Sequence, residues 1–216
     1  MTIASHTVCR DGMPFIGKIL KQVEPYMDKL FITISGKSKD GTIEEVEKFI
    51  SECNKPVELM WENVAKPAEL TQIEQFQVDR TTQDWILFLS DDDYWPHDQL
   101  ELCLKEIEKA PQTPAFSVSP YQLLDFETYD SSWAEKSFSK FLRREGLNYR
   151  KDWPDEMPYH GNEISYWRSN SKVIRLPYKF YHLSYLKDYS FRSEDWAKRY
   201  AFNKGSALKL PKPLEI

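Results

Sequence analysis

The chain has 216 residues, of which 41% are hydrophobic and 14% aromatic, and its formal net charge is −5. This composition supports a substantial core and excludes an intrinsically disordered chain, and the acidic balance gives no overall basic surface for nucleic acid. Three widely spaced cysteines without a Cys-x-x-Cys pair indicate a reducing compartment and neither a disulfide framework nor a zinc site. No apolar run approaches the length of a membrane span and no signal-peptide pattern opens the chain, so we expect a cytoplasmic protein with no membrane span.

In the first half of the chain, apolar runs alternate with segments of helical periodicity. Strands are predicted at residues 3–9, 29–35, 57–61, 85–89 and 115–118, and helices at residues 14–26, 43–53, 67–82 and 97–109. Such alternation predicts βαβ units and an α/β fold with a mainly parallel sheet flanked by helices. No Gly-x-Gly-x-x-Gly follows the first strand and no Walker motif occurs, which argues against a dehydrogenase and a P-loop phosphotransferase.

The pattern changes after about residue 121. Residues 131–145 are predicted to be helical and residues 148–163 to form a polar loop. Residues 164–167 and 172–176 are predicted to pair as a hairpin before a helix at 194–202. We expect this part to be an α+β extension of the sheet, so that residues 1–216 form a single domain.

The most informative stretch joins the apolar run 85–89 to three consecutive carboxylates, Asp91, Asp92 and Asp93. Adjacent carboxylates repel one another unless a cation or strong donors lie among them. Ligands in open α/β sheets bind at the carboxyl ends of the strands, so the stretch predicts a divalent metal at that edge. The alternative interpretation is a solvated acidic turn in which Asp98 caps the following helix.

The order of three motifs resembles the family 2-like glycosyltransferases of the GT-A fold. The motifs are the segment 7–11 (Thr-Val-Cys-Arg-Asp), the segment 38–42 (Ser-Lys-Asp-Gly-Thr) and the segment 86–93, whose Ser-Asp-Asp-Asp end is similar to the family's Asp-x-Asp region. Together they cover about residues 1–119, the half that would bind the nucleotide sugar. Residues 120–216 would supply the acceptor side and complete the metal site through the segment 181–185 (Tyr-His-Leu-Ser-Tyr).

The resemblance implies a metal-dependent, inverting transfer of a sugar from a nucleotide-diphospho sugar, most simply a UDP-sugar, to an acceptor hydroxyl. It implies Mn²⁺ or Mg²⁺ as cofactor, and the metal ligands would be Asp92, Asp93 and His182. The residues that would bind the nucleotide sugar are Thr7, Cys9, Arg10, Ser35, Asp40, Glu62, Asp91 and Asp92. Two alternatives stay open: His182 as a histidine of an aromatic cluster, and Lys187 as either a phosphate contact or a solvated side chain.

One position departs from the family pattern. The family places an aspartate pair after the second strand for base recognition, whereas this chain has Ser35 and Gly36 there. Asp40 could simply cap the following helix, so Glu62 or Asp79 would have to take part of that role. The departure also leaves open a non-catalytic module that binds a nucleotide sugar.

The candidates for the general base lie in the polar loop and are Asp155, Glu156 and Glu163. The same loop is rich in aromatic residues and carboxylates, which suits a sugar-binding surface but also an ordinary surface loop. The acceptor would be a saccharide or another hydroxyl compound. Nucleic acid is possible as a partner if the acceptor is a hydroxymethylated base in DNA, and a nucleotidyltransferase is a further alternative.

Overall fold

The computed structural model describes residues 1–36, 38–62, 67–133, 136–147, 173–187 and 207–214, with the backbone alone for residues 67–71. In these residues the centre is an eight-stranded sheet, whose strands lie in the order 57–62, 29–35, 3–9, 85–88, 138–143, 115–122, 173–182 and 93–94.

The first half of this sheet is parallel and contains β1 (Ile3–Cys9), β2 (Lys29–Ser35), β3 (Val57–Glu62) and β4 (Trp85–Phe88). Every residue of β1 and β4 is buried, as expected for central strands covered on both faces. The helices between and after them are α1 (Ile16–Val23), α2 (Thr42–Glu52), α3 (Pro67–Arg80) and α4 (His97–Lys109). The predicted alternation of strands and helices is therefore confirmed.

The second half of the sheet is mixed. It contains β5 (Asp93–Tyr94), β6 (Ala115–Gln122), β8 (Phe138–Arg143) and β9 (Val173–His182). Strand β8 lies antiparallel between β4 and β6, β9 runs parallel to β6, and β5 pairs antiparallel with β9. A separate two-stranded sheet joins β7 (Thr128–Asp130) to β10 (Ala207–Lys209).

The helix predicted at residues 131–145 is wrong. The segment contains a 3₁₀ turn, Ser131–Trp133, and strand β8. A tertiary contact overrides the local pattern here, because Lys140, which looks like a solvent-facing residue, is buried by an ion pair with Asp93. Residues 173–176 begin the long strand β9, while the predicted strand 164–167 and helix 194–202 lie outside the described residues.

The helices cover opposite faces of the parallel half. Buried residues of α1, α2 and α4 join one large apolar cluster with Trp85 and Leu87 of β4. Helix α3 instead contributes Val78 to a cluster with Ile86, the residue between those two. Because successive strand residues point to opposite faces, α3 lies on the other side of the sheet. In the described part of the chain, no helix is both long and apolar enough to cross a membrane.

Candidate metal and nucleotide site

The carboxyl ends of β1, β2 and β4 meet at one edge of the sheet, because these strands are parallel and in register. Hydrogen bonds join the loops that follow them. The Arg10 N–H donates to Asp91 Oδ2 at 3.4 Å, and the Gly12 N–H donates to Thr42 Oγ1 at 2.6 Å. The three motifs that are far apart in sequence therefore form one continuous edge.

Asp93 is the most deeply buried of the three aspartates and is fully inaccessible to solvent. Its Oδ2 accepts hydrogen bonds from Lys140 Nζ at 2.5 Å and from the Ser90 N–H at 3.1 Å. Its Oδ1 lies 3.0 Å from Nδ1 of His182. Burial alone would raise the pKa of this carboxyl, but the ammonium of Lys140 and the bond to His182 hold it well below its usual range.

Lys140 lies in an aromatic surrounding. Its Nζ is 5.0 Å from the ring centre of Phe180, 5.4 Å from that of Phe88 and 5.9 Å from that of Phe138. The negative faces of aromatic rings attract an ammonium ion, so these rings and Asp93 together stabilise a buried positive charge. The site therefore carries an internal cation of its own.

His182 is brought to the cluster by the pairing of β5 with β9, in which it lies directly opposite Asp93. Its Nδ1 is 3.4 Å from Asp92 Oδ1, and potential ligand atoms of Asp92, Asp93 and His182 all lie within 4.8 Å of one another. Burial would lower the pKa of His182, but the two carboxylates raise it above its ordinary value. The ring of Trp133 stacks on it, with 6.0 Å between ring centres.

Asp91 pairs with the ammonium of Lys187 at 3.0 Å, and the Lys187 side chain is only 2% exposed. Burial raises the pKa of Asp91, Lys187 opposes that shift and the neighbouring Asp92 adds to it. Lys187 is thus a buried partner of the acidic cluster, and the interpretation of it as a solvated lysine is wrong.

Asp40 stabilises the loop before α2. Its Oδ1 accepts hydrogen bonds from the hydroxyls of Ser38 and Thr42, at 2.7 and 2.6 Å, and from the Thr42 N–H at 3.1 Å. Its Oδ2 accepts the Met13 N–H at 3.0 Å. Burial opposes a charged carboxyl here, but the bonds from Thr42 and Ser38 lower the pKa of Asp40. Asp40 thus fixes the loops after β1 and β2 relative to each other.

The structure places the other predicted residues as follows. Thr7 and Cys9 are buried in the last part of β1, Ser35 is buried at the end of β2, and Glu62 is exposed at the end of β3. The candidates for the general base, Asp155, Glu156 and Glu163, lie outside the described residues.

Two neighbours of the acidic cluster were missed at the sequence level. Lys140 carries no signal, because it lies in a segment whose strand pattern is weak, 47 residues from its partner Asp93. Trp133 likewise carries no signal in the sequence, since its contact with His182 depends on the turn before β8.

The donor set suits a hard or borderline divalent cation. Carboxylate oxygens are the preferred ligands of Mg²⁺ and Mn²⁺, and an imidazole favours Mn²⁺ of the two. Asp91 and Asp93 are already neutralised by lysines, whereas Asp92 has no lysine partner in the described part of the chain. The residues present therefore fit one cation next to Asp92 and His182.

Comparison with protein families agrees with the resemblance seen in the sequence motifs. The family model described as glycosyl transferase family 2 matches residues 14–174. No curated protein matches the chain significantly by sequence.

Among solved structures, the N-terminal part of S. aureus TarS (residues 1–349) superimposes with a TM-score of 0.57 at 16% identity, covering 84% of this chain and 60% of that one. The same fragment in complex with UDP-GlcNAc gives a TM-score of 0.58 at 15% identity, with 84% and 58% covered. HddC from Yersinia pseudotuberculosis gives a TM-score of 0.51 at 12% identity, with 91% and 100% covered.

At these identities the solved structures establish the fold alone, and the chain spans less than two thirds of the TarS fragment. The predicted GT-A fold is confirmed by these matches, with helices flanking a central sheet whose second half is mixed. The family model spans well over half of the 216 residues. The chain therefore belongs to glycosyl transferase family 2.

Proposed function

We propose that the protein is a metal-dependent, inverting glycosyltransferase that moves a sugar from a UDP-sugar to an acceptor hydroxyl. The observation that carries this proposal is the position of Asp92 and His182 beside two lysine-neutralised aspartates, at the edge of the sheet where nucleotides bind in such folds. The structures of TarS with UDP-GlcNAc and with UDP support a uridine donor.

Asp92 and His182 would hold Mn²⁺ or Mg²⁺, and Asp93, the third predicted ligand, would fix the ring of His182 through its 3.0 Å contact. When bound, the ion would neutralise the negative charge that builds on phosphate oxygens as the nucleoside diphosphate leaves. Carboxylates that hydrogen-bond to a ligating histidine, and so orient its ring, are common in metal sites.

The remaining predicted residues would form the walls for the donor. Asp91 and Lys187 lie beside Asp92, so that Lys187 would face the diphosphate once Asp91 engages the ribose or a metal-bound water. Thr7, Cys9 and Arg10 would line the cleft from the end of β1. Ser35, Asp40 and Glu62 would do so from the ends of β2 and β3.

The acceptor hydroxyl must lose its proton as it attacks the anomeric carbon from the face opposite the leaving diphosphate. Asp155, Glu156 and Glu163 are our candidates for the base that takes this proton.

A panel of UDP-, GDP- and dTDP-sugars, tested with and without Mn²⁺ by thermal unfolding, examines the proposal. A ligand that binds only the folded state raises the unfolding temperature by mass action. We expect a UDP-sugar to do so only when Mn²⁺ is present. No metal-dependent stabilisation by any nucleotide would overturn the proposal. Stabilisation without donor hydrolysis or sugar transfer would instead identify a non-catalytic module, which the serine at position 35 also favours.

A further inference from the structure

Helix α3 presents an unusually polar face to the sheet. Among the residues of α3 whose side chains are described, the buried ones follow a helical stripe and are Ile73, Glu74, Gln77 and Val78, so a glutamate occupies a core position. A helix that packs on a sheet normally places apolar residues along this stripe. The glutamate therefore calls for a reason beyond packing.

The position of Glu74 follows from its neighbours. Gln77, one turn later, donates from Nε2 to the Thr7 carbonyl at 3.2 Å and to Thr33 Oγ1 at 3.0 Å. Helix α3 follows the carboxyl end of β3 and precedes the amino end of β4, so it runs back across the sheet. Glu74 lies about 4.5 Å further toward the carboxyl edge than Gln77, at the usual rise of a helix.

Contacts of the adjacent residue agree with this position. Ile73 packs against Val8, the residue before the end of β1. Two residues beyond Thr33 on the same face of β2 is Ser35, which is buried and brings no charge. Glu74 is therefore level with the last residues of β1 and β2, one to two strands from the acidic cluster at the end of β4.

Glu74 is only 5% exposed as a residue, and its carboxyl group has neither a hydrogen-bond nor an ion-pair partner among the described residues. Burial alone raises its pKa from 4.5 to about 8. A buried carboxyl without a partner destabilises a protein, and such groups persist where a ligand supplies the missing partner.

We propose that Glu74 recognises the base of the donor nucleotide by accepting a ring N–H, as offered by uracil, thymine or guanine. The inference rests on the proposed function, because a diphosphate at Asp92 places the nucleoside along the sheet edge. The opposite side of the cluster is filled by His182 and Trp133, which leaves the ends of β1 and β2 for the base. Cytosine and adenine present an acceptor nitrogen at the matching ring position, and an ionised Glu74, which has no proton to donate, disfavours both.

Glu74→Leu and Glu74→Gln separate this role from a structural one. Leucine removes the acceptor and the buried carboxyl together, so the ligand-free protein should unfold at a higher temperature while UDP binding with Mn²⁺ weakens about tenfold to a hundredfold. Glutamine keeps a carbonyl that can accept the N–H and should weaken UDP binding less. Glu47→Leu, which removes an exposed carboxyl of α2, is the matched control and should bind UDP as the wild type does.

Calorimetric titrations of UDP, GDP, CDP and ADP with Mn²⁺, at a pH above 8 where Glu74 is ionised, measure these effects. Wild-type protein should prefer UDP or GDP to CDP and ADP, and Glu74→Leu should lose that preference. Unchanged UDP affinity in both variants, or a leucine variant that is only less stable, would overturn the role of Glu74. If the leucine variant does not fold, the glutamine variant decides the question. A Glu74→Gln protein that binds UDP with the wild-type affinity and keeps the wild-type preference for UDP would overturn the role of Glu74. Failure of the wild type to bind any nucleotide would instead count against the proposed function.

Discussion

The two sides of the sheet edge differ in whether their acidic side chains have partners within the protein. On the metal side, formed by Asp91, Asp92, Asp93 and His182, the buried carboxylates of Asp91 and Asp93 each have a lysine partner within 3.0 Å.

On the base side, formed by Glu74 and Gln77 beneath α3, the described contacts leave polar atoms unsatisfied. The Glu74 carboxyl has no partner, and Gln77 Oε1 forms no hydrogen bond. Both sides carry acidic groups, but only on the metal side are they paired with cations of the protein. We infer that the metal side is rigid before ligands bind, while the base side is completed by its ligand.

The largest expected effect comes from Asp92→Ala. This change removes the carboxylate that has no lysine partner among the described residues, so Mn²⁺ should lose its anchor while Asp91 and Asp93 stay paired. We expect Mn²⁺ affinity, followed by electron paramagnetic resonance of the free ion, to fall by about a hundredfold or more. The exposed Asp98→Ala is the control. Unchanged Mn²⁺ affinity in Asp92→Ala would remove Asp92 from the metal site.

Lys140→Met tests whether the lysine stabilises the buried carboxylate of Asp93. The change leaves Asp93 buried without its cation, which should lower the free energy of unfolding by about 3–5 kcal/mol. Urea titration measures this loss, and the double variant with Asp93→Asn should recover part of it. Lys105→Met breaks an exposed pair with Glu101 and should change the free energy of unfolding by at most about 1 kcal/mol. Equal effects of the two lysine changes would contradict the contrast between buried and exposed pairs.

Glu74→Gln tests, through the pH dependence of stability, whether the Glu74 carboxyl is buried without a partner. The folded-state pKa of Glu74, about 8, exceeds its ordinary value of 4.5, so the folded state binds this proton more tightly. Wild-type stability should therefore match the variant's at low pH and fall behind it as pH rises from 4.5 to 8, by up to about 5 kcal/mol. Urea unfolding across this range measures the difference. A constant offset between the two proteins would show that Glu74 is not buried without a partner.

His6→Leu should change the pH dependence of stability by a smaller amount, and in the opposite direction to Glu74→Gln. His6 is fully buried, and burial together with Lys29 lowers its pKa from 6.5 to about 3. Its contribution to stability is therefore present above pH 6.5 and is lost as pH falls toward 3. Relative to the variant, the wild type should lose about 2 kcal/mol between pH 6.5 and about pH 5. Parallel pH profiles of unfolding for the two proteins would contradict this assignment.

Local patterns were sufficient for the parallel half of the fold. Strand β4 is a continuous apolar run, β1 to β3 are rich in apolar residues, and α1, α2 and α4 have clear apolar stripes, so their existence and order could be read directly. The acidic cluster could also be predicted, because three adjacent carboxylates after a buried strand repel one another unless a cation or strong donors lie among them.

Features that depend on distant partners could not be predicted. The local pattern predicts a helix where β8 lies, because the burial of Lys140 depends on Asp93, far away in the sequence. The sequence gives no sign that Glu74 is a core residue, since a polar side chain on a buried helix face reduces its amphipathic signal. In both places the sequence departs from local rules where polar groups are buried near the proposed site.

Calorimetric titration of the wild-type protein with UDP, in Mn²⁺ and then in EDTA, tests most directly whether this edge of the sheet is a metal-dependent nucleotide site. We expect saturable binding in Mn²⁺ that weakens at least about tenfold in EDTA, since the diphosphate would then face Asp92 without a bridging cation. Equal UDP affinity in the two buffers, or no UDP binding in either, would contradict the proposed function.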